Sequence, residues 1–224
     1  MPRLANLPAQ LDRLEREFGP PATLPPRSAL DWILWENAGY LVDDERRRKA
    51  YRALSKSTRL EPAGILALSR EQLLEIAALG GMLREQRVAK LIDIAETVRD
   101  EFGGDLESVL SLPAARARRA LRAFPGIGAP GADKILLFTG TLAVPALESN
   151  GLRSLVRLGY AREGKNYTTT YRSGIEALTP HVGRGSAWLQ RAFDLLRRHG
   201  QQLCKNTEPL CDACPLVAAC PSAE

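Results

Sequence analysis

CKNTEPLCDACPLVAAC, residues 204–220, decides how the chain is read, because every cysteine of the sequence falls inside it. Cys204, Cys211, Cys214 and Cys220 follow one another as C-x6-C-x2-C-x5-C. Four thiolates on one short segment are a complete ligand set for an iron–sulfur cluster. A structural zinc ion is the first rival, but such sites usually pair two C-x2-C knuckles, or one knuckle with two histidines. Here there is one C-x2-C, and neither His181 nor His199 lies inside the loop. Two disulfides are the second rival, though nothing else in the sequence points to secretion.

Working outward, the 224 residues can bury a real core as one large domain or two small ones. Hydrophobic residues make up 45% and charged residues 25%, an ordinary globular composition. No apolar run approaches a membrane span, and the first residues, MPRLANLPAQLDRLEREFG, are too charged for a signal peptide. A cytoplasmic, reducing compartment is expected, where thiols stay free. A net charge of +5 suits a polyanionic partner such as nucleic acid, although many basic proteins never touch DNA.

Helical periodicity runs through the chain. Leu4, Leu7, Leu11, Leu14 and Phe18 predict a helix over 4–18 that stops at Gly19-Pro20-Pro21. A proline-rich connector reaches Pro26, and Ser28 can cap the next helix, with Leu30, Ile33 and Leu34 on its apolar stripe. Residues 46–103 read as amphipathic helices broken at Gly80-Gly81 and ended by Gly103-Gly104. Residues 105–123 are helical again, with Arg116, Arg118, Arg119 and Arg122 either a solvated face or a phosphate-binding one. No strand or internal repeat emerges, so the expected fold is all-α.

Two stretches carry a choice of meanings. In Trp35-Glu36-Asn37-Ala38-Gly39-Tyr40-Leu41-Val42-Asp43-Asp44, the bland reading is a helix end followed by an aspartate cap for the basic helix beyond. The sharper one makes Glu36 a buried, protonated carboxyl that serves as a general acid. Met82-Leu83 is either core or a wedge that enters a DNA stack.

Phe124-Pro125-Gly126-Ile127-Gly128 then joins two helical stretches. Two glycines around one apolar residue make a tight turn whose N–H groups, at the start of the next helix, can hold a phosphate. Alone, this is an ordinary helix–helix turn. With the cysteine loop it closely resembles the endonuclease III branch of the helix-hairpin-helix (HhH-GPD) DNA glycosylases, whose hairpin reads roughly L-P-G-V-G. Arg153 lies where that family's V-D-T-H-x-x-R segment has its arginine, and Trp188 and His199-Gly200 precede Cys204 as in its W…H-G-x3-C pattern.

The resemblance covers roughly residues 28–220 and implies two helical lobes. Residues 1–27 would pack with a cluster lobe of residues 161–224, and residues 28–160 would form the lobe holding the hairpin at about 115–138. It implies base excision repair by a monomer, with lesion- or mismatch-bearing double-stranded DNA between the lobes and a base flipped into the cleft. DNA contacts would come from Pro125, Gly126, Ile127, Gly128, Ala129, Arg153, Met82 and Leu83. A [4Fe-4S] cluster, or zinc as the alternative, would sit on Cys204, Cys211, Cys214 and Cys220. It would fold the loop and present Lys205, or respond to redox state.

Departures from the family matter most. Bifunctional members carry at position 130 a lysine that attacks the sugar C1′; here it is Pro130. Glu148 stands in the register of the essential aspartate, and Asn150 replaces a histidine. A carboxylate there can stabilise an oxocarbenium-like sugar or activate water, and a second acid can protonate the departing base. Glu148 suits the first task and Glu36 the second, as a glutamate on the corresponding helix does in the adenine-glycosylase branch. Lys134, one turn beyond Pro130, is the substitute amine to consider. A monofunctional glycosylase is therefore expected. A non-catalytic damage-binding homologue and a bifunctional glycosylase/lyase using Lys134 are the alternatives. The stretch Ala161–Arg172 is left unexplained by the resemblance.

Overall fold

The computed structural model describes residues 6–21 and 26–223, and among them it contains helices and no strand. One isolated bridge joins Tyr40 to Gly81. The expectation of an all-α chain holds. No helix among the described residues is long and apolar enough to cross a membrane. The chain divides into two compact units, Leu24–Thr141 and Met1–Thr23 with Leu142–Glu224.

Within Leu24–Thr141, α2 (Ala29–Ala38) is the central element. Ser28 caps it in a reciprocal box with Asp31, as its sequence suggests. Its stripe is wider than the amphipathic pattern implied: Trp32, Ile33, Leu34 and Trp35 are all buried. Trp32 packs on Phe138 with ring centroids 5.1 Å apart, and Trp35 meets Tyr51 edge-on at 5.3 Å. Around it lie α3 (Asp44–Thr58), α4 (Pro62–Leu66), α5 (Arg70–Leu79) and α6 (Arg84–Phe102). Asp43 caps α3 by accepting from the Arg46 N–H at 2.8 Å, so the bland reading of that aspartate is the observed one. The stretch 105–123 forms α7 (Glu107–Leu110) and α8 (Ala114–Leu121), and α9 (Ala129–Phe138) follows the hairpin.

In the other unit, α1 (Leu7–Phe18) packs on α12 (Ser186–Gln202). Leu4, expected in this helix, lies outside the described residues. Arg191 pins the pair by reaching Glu15 at 2.6 Å and Asp12 at 2.7 Å. Helix α10 (Ser149–Arg157) packs along α12, and α11 (Tyr167–Leu178) flanks it. This corrects the division expected at residue 160. The break falls before Leu142 because Leu152, Ser154 and Leu155 of α10 are buried, and Ser154 donates to the Leu196 carbonyl of α12.

The turn between α5 and α6 depends on Arg87. Its side chain is buried, and its guanidinium donates to the carbonyls of Ala77, Gly81 and Met82. An Arg87→Met variant leaves those carbonyls without their charged donor. It should lose about 2–4 kcal/mol of stability, read as a lower urea midpoint.

Candidate functional site

The hairpin in Leu24–Thr141 is built from inside outward. Ile127 is buried while Gly126 and Gly128 on either side are exposed. Asn37, buried at the end of α2, donates from Nδ2 to the carbonyls of Ile33 and Pro125, both at 2.9 Å, and so fastens the turn. Sequence reasoning misses Asn37, whose one signal is a polar amide inside an apolar helix. Gly126 has φ +77°, and a Cβ there would stand 2.8 Å from Asn37 Oδ1, so the fold itself demands glycine.

Gly128 is different. Its backbone is extended, and a Cβ would make an ordinary 3.6 Å contact with Pro130. No contact among the described residues requires glycine at that position. The N–H groups of Gly128, Ala129 and Gly131 have no acceptor among the described residues, and they cluster at the start of α9, where a helix favours anions. Pro130 sits in the first turn, where its missing N–H costs nothing.

Of the arginines before the hairpin, Arg118 is spent on Asp133 at 2.5 Å, whereas Arg116, Arg119 and Arg122 are exposed. Cations Arg46, Lys49 and Arg52 of α3 line an open groove of about 920 Å³ with Ala78 and Leu79. Met82 and Leu83, for which core or wedge was open, are 65% and 47% exposed. Tyr40 and Leu41 are exposed as well, and the Tyr40 N–H donates to the Gly80 carbonyl at 3.0 Å, so the two loops present one apolar group. A contiguous exposed apolar group on a basic surface marks a contact site.

Glu36 and Lys134 come together in the same unit. Lys134 Nζ lies 2.6 Å from Glu36 Oε1 and over the Trp32 ring, and Arg47 reaches Glu36 Oε2 at 3.4 Å. Glu36, expected as a general acid, thus lies between two basic side chains. The expected substitute amine is its partner.

In the unit containing α10, Glu148 is the N-cap of that helix. One carboxylate oxygen accepts from the Gly151 N–H at 2.6 Å and the other from Asn150 Nδ2 at 2.8 Å. Asn150 in turn accepts from Arg153 Nη2 at 2.8 Å. The same guanidinium donates to the carbonyls of Gly200 and Cys204. Arg153, expected among the DNA contacts, makes hydrogen bonds to three acceptors of its own unit.

The four cysteines, with His199, Arg157 and Leu203 among their neighbours, line a cavity of about 190 Å³. No three His, Cys, Asp or Glu side chains among the described residues stand close enough to hold a single metal ion. His199 is buried, with Nδ1 3.0 Å from Ser154 Oγ and Nε2 3.3 Å from Cys214 Sγ. Burial, and after it the Arg153 charge, pushes His199 down to about 4, so its ring is neutral. Arg157 Nη1 reaches Cys204 Sγ at 3.5 Å and the Lys205 carbonyl at 2.6 Å.

No family model matches the chain. Solved structures do. Endonuclease III trapped as a covalent intermediate with DNA superposes with a TM-score of 0.78 at 18% identity, covering 100% of this chain and 98% of that one. A thermostable thymine-DNA glycosylase gives 0.67 at 16% identity over 97% and 94% of the two chains. The 3-methyladenine DNA glycosylase of H. pylori gives 0.66 at 19% identity over 88% and 96%. These likenesses establish the fold, that of the endonuclease III-like helix-hairpin-helix proteins.

The two glycines should separate experimentally. Gly126→Ala is expected to cost about 1–2 kcal/mol through its left-handed backbone. Gly128→Ala should stay within about 0.5 kcal/mol of the parent in thermal and urea unfolding. A large loss in Gly128→Ala would mean that the fold, and not an outside partner, requires that glycine.

Proposed function

We propose that this chain, built on the endonuclease III fold, is a DNA glycosylase that hydrolyses the bond between sugar and a damaged or mispaired base and has no lyase step. The Glu148 carboxylate carries the reading. Two donors fix it at the start of α10, so it needs no reorganisation when charge develops beside it. As the base departs, positive charge builds at C1′ and negative charge on the base. Glu148 stabilises that sugar cation or takes the proton of the water that adds to it.

A covalent route needs an amine with a free lone pair. Residue 130 is proline, and Lys134 Nζ is engaged by Glu36 at 2.6 Å and lies over the Trp32 ring. Their pair is better suited to fixing α2 against α9 than to acid catalysis or Schiff-base formation. Duplex DNA is the partner we infer. The unpaired hairpin N–H groups suit a phosphate, the exposed arginines extend the positive surface, and the group around Met82 and Leu83 suits insertion where a base has left the stack.

The proposal includes a [4Fe-4S] cluster on Cys204, Cys211, Cys214 and Cys220. Zinc draws its sulfurs to about 2.3 Å from one point, whereas a cluster spreads four thiolates over a larger body. Thiols arranged round a cavity fit the second. When bound, the cluster would anchor the loop 204–220 and so the carbonyl that Arg153 grips. Arg157 donates toward one sulfur, and His199 Nε2 lies 3.3 Å from another. Anaerobically purified protein should carry four irons and four sulfides per chain, and Cys211→Ser should lose them. One zinc and no sulfide would replace the cluster with the zinc site.

One observation favours a second reading, a damage-binding protein without chemistry: both oxygens of Glu148 already accept hydrogen bonds, as in a purely structural cap. Oligonucleotides holding uracil, thymine glycol, alkylated purines or adenine opposite 8-oxoguanine, assayed with and without hot alkali, separate the cases. Breaks that appear after alkali alone are the expected result. Breaks without alkali would establish lyase chemistry, and binding with no base release on any substrate would leave the damage-binding reading.

A further inference from the structure

The stretch Ala161–Arg172 has no part in the site above, yet it is heavily fastened. Arg162 N–H donates to Ser173 Oγ at 2.8 Å and Gly164 N–H to Thr170 Oγ1 at 2.9 Å. Asn166 and Thr169 close a reciprocal capping box at the start of α11. A Cβ on Gly164 would stand 2.2 Å from Thr169 Oγ1, so the turn admits no side chain there. Fixing a surface turn costs conformational entropy, and residues 162–168 are all exposed, so little burial offsets it.

What the turn holds in place is Lys165 and Tyr167. Tyr167 is 48% exposed, and its ring stacks on the buried Tyr171 with centroids 6.1 Å and planes 20° apart. One side of the ring is thereby backed by protein. Lys165 is exposed and makes no ion pair among the described residues. Both line an open groove of about 540 Å³ with Ser149, Arg157 and Asn206. The groove begins at the residue after Glu148. Burial, and then the Glu148 charge, raises the Tyr167 phenol. Positive side chains outnumber the carboxylate of Glu163 on its walls.

We propose that this groove is a nucleotide subsite that takes a neighbour of the reacting nucleotide on its DNA strand, with the base stacked on Tyr167 and the phosphate paired with Lys165. An aromatic face beside a cation is what a strand needs for sequence-tolerant binding. The proposal rests on the reading of Glu148 as the reacting centre.

Fluorescence anisotropy with a labelled duplex holding one tetrahydrofuran abasic analogue, titrated at several salt concentrations, tests it. Tyr167→Ala should weaken binding about tenfold and Tyr167→Phe by less than about twofold, as expected for a stacked base. Lys165→Ala should lower the slope of log affinity against log salt by about one. If the parent binds this duplex but Tyr167→Ala and Lys165→Ala leave affinity and slope unchanged, the subsite is overturned and the glycosylase reading stands. Equal losses in Tyr167→Phe and Tyr167→Ala would overturn the stacking assignment. A parent protein that does not bind the duplex would overturn both readings.

Discussion

A single guanidinium, that of Arg153, joins the parts of its unit that matter most. It grips the carbonyls of Gly200 and Cys204 and the side chain of Asn150, and Asn150 holds Glu148. Charged donors make the stronger hydrogen bonds, and losing one of several buried partners strands the others. The position of the Glu148 carboxylate is therefore tied through two side chains to the start of the cysteine loop. Neutral His199 sits on the other flank of α10, between Ser154 and Cys214, and fills the space under the loop without adding charge.

The other unit solves a different problem, which is presenting unpaired backbone and exposed side chains from a stable frame. Helix α2 supplies the frame: its tryptophans pack on Phe138 and Tyr51, and Asn37 at its end holds the hairpin. Arg87 does the same for the turn that exposes Met82 and Leu83. In both places a buried polar group binds main-chain carbonyls so that an exposed segment keeps one shape. Such segments otherwise sit at the low-stability end of a protein.

The amino-acid sequence reveals what is local. The four cysteines, the hairpin, the Ser28 cap and the breaks at Gly80 and Gly103 lie in short runs whose chemistry depends on near neighbours. What it hid depends on distant partners or on main chain. Glu36 looks like a candidate acid until Lys134, far along the chain, and Arg47 are seen beside it. Arg153 reads as a DNA contact because its acceptors are mostly carbonyls, which carry no residue signature. The threonines after Tyr167 are uninformative for the same reason, since their hydroxyls bind backbone N–H and carbonyl groups. The break before Leu142, rather than at residue 160, has no local sign, since nothing in that run of sequence marks which neighbour α10 packs on. Its packing on α12 decides.

The proposed function places the chemistry at Glu148, and replacing that residue tests the account most directly. Under single-turnover conditions, the most reactive lesion duplex should be followed for base release with the parent protein and with Glu148→Gln, alongside DNA affinity. The amide can still accept from the Gly151 N–H but cannot balance positive charge on the sugar. The expected result is base release slowed by about a hundredfold or more, with affinity within about threefold of the parent. Unchanged base release in Glu148→Gln would contradict it, leaving Glu148 as a helix cap and the chemistry to be sought elsewhere.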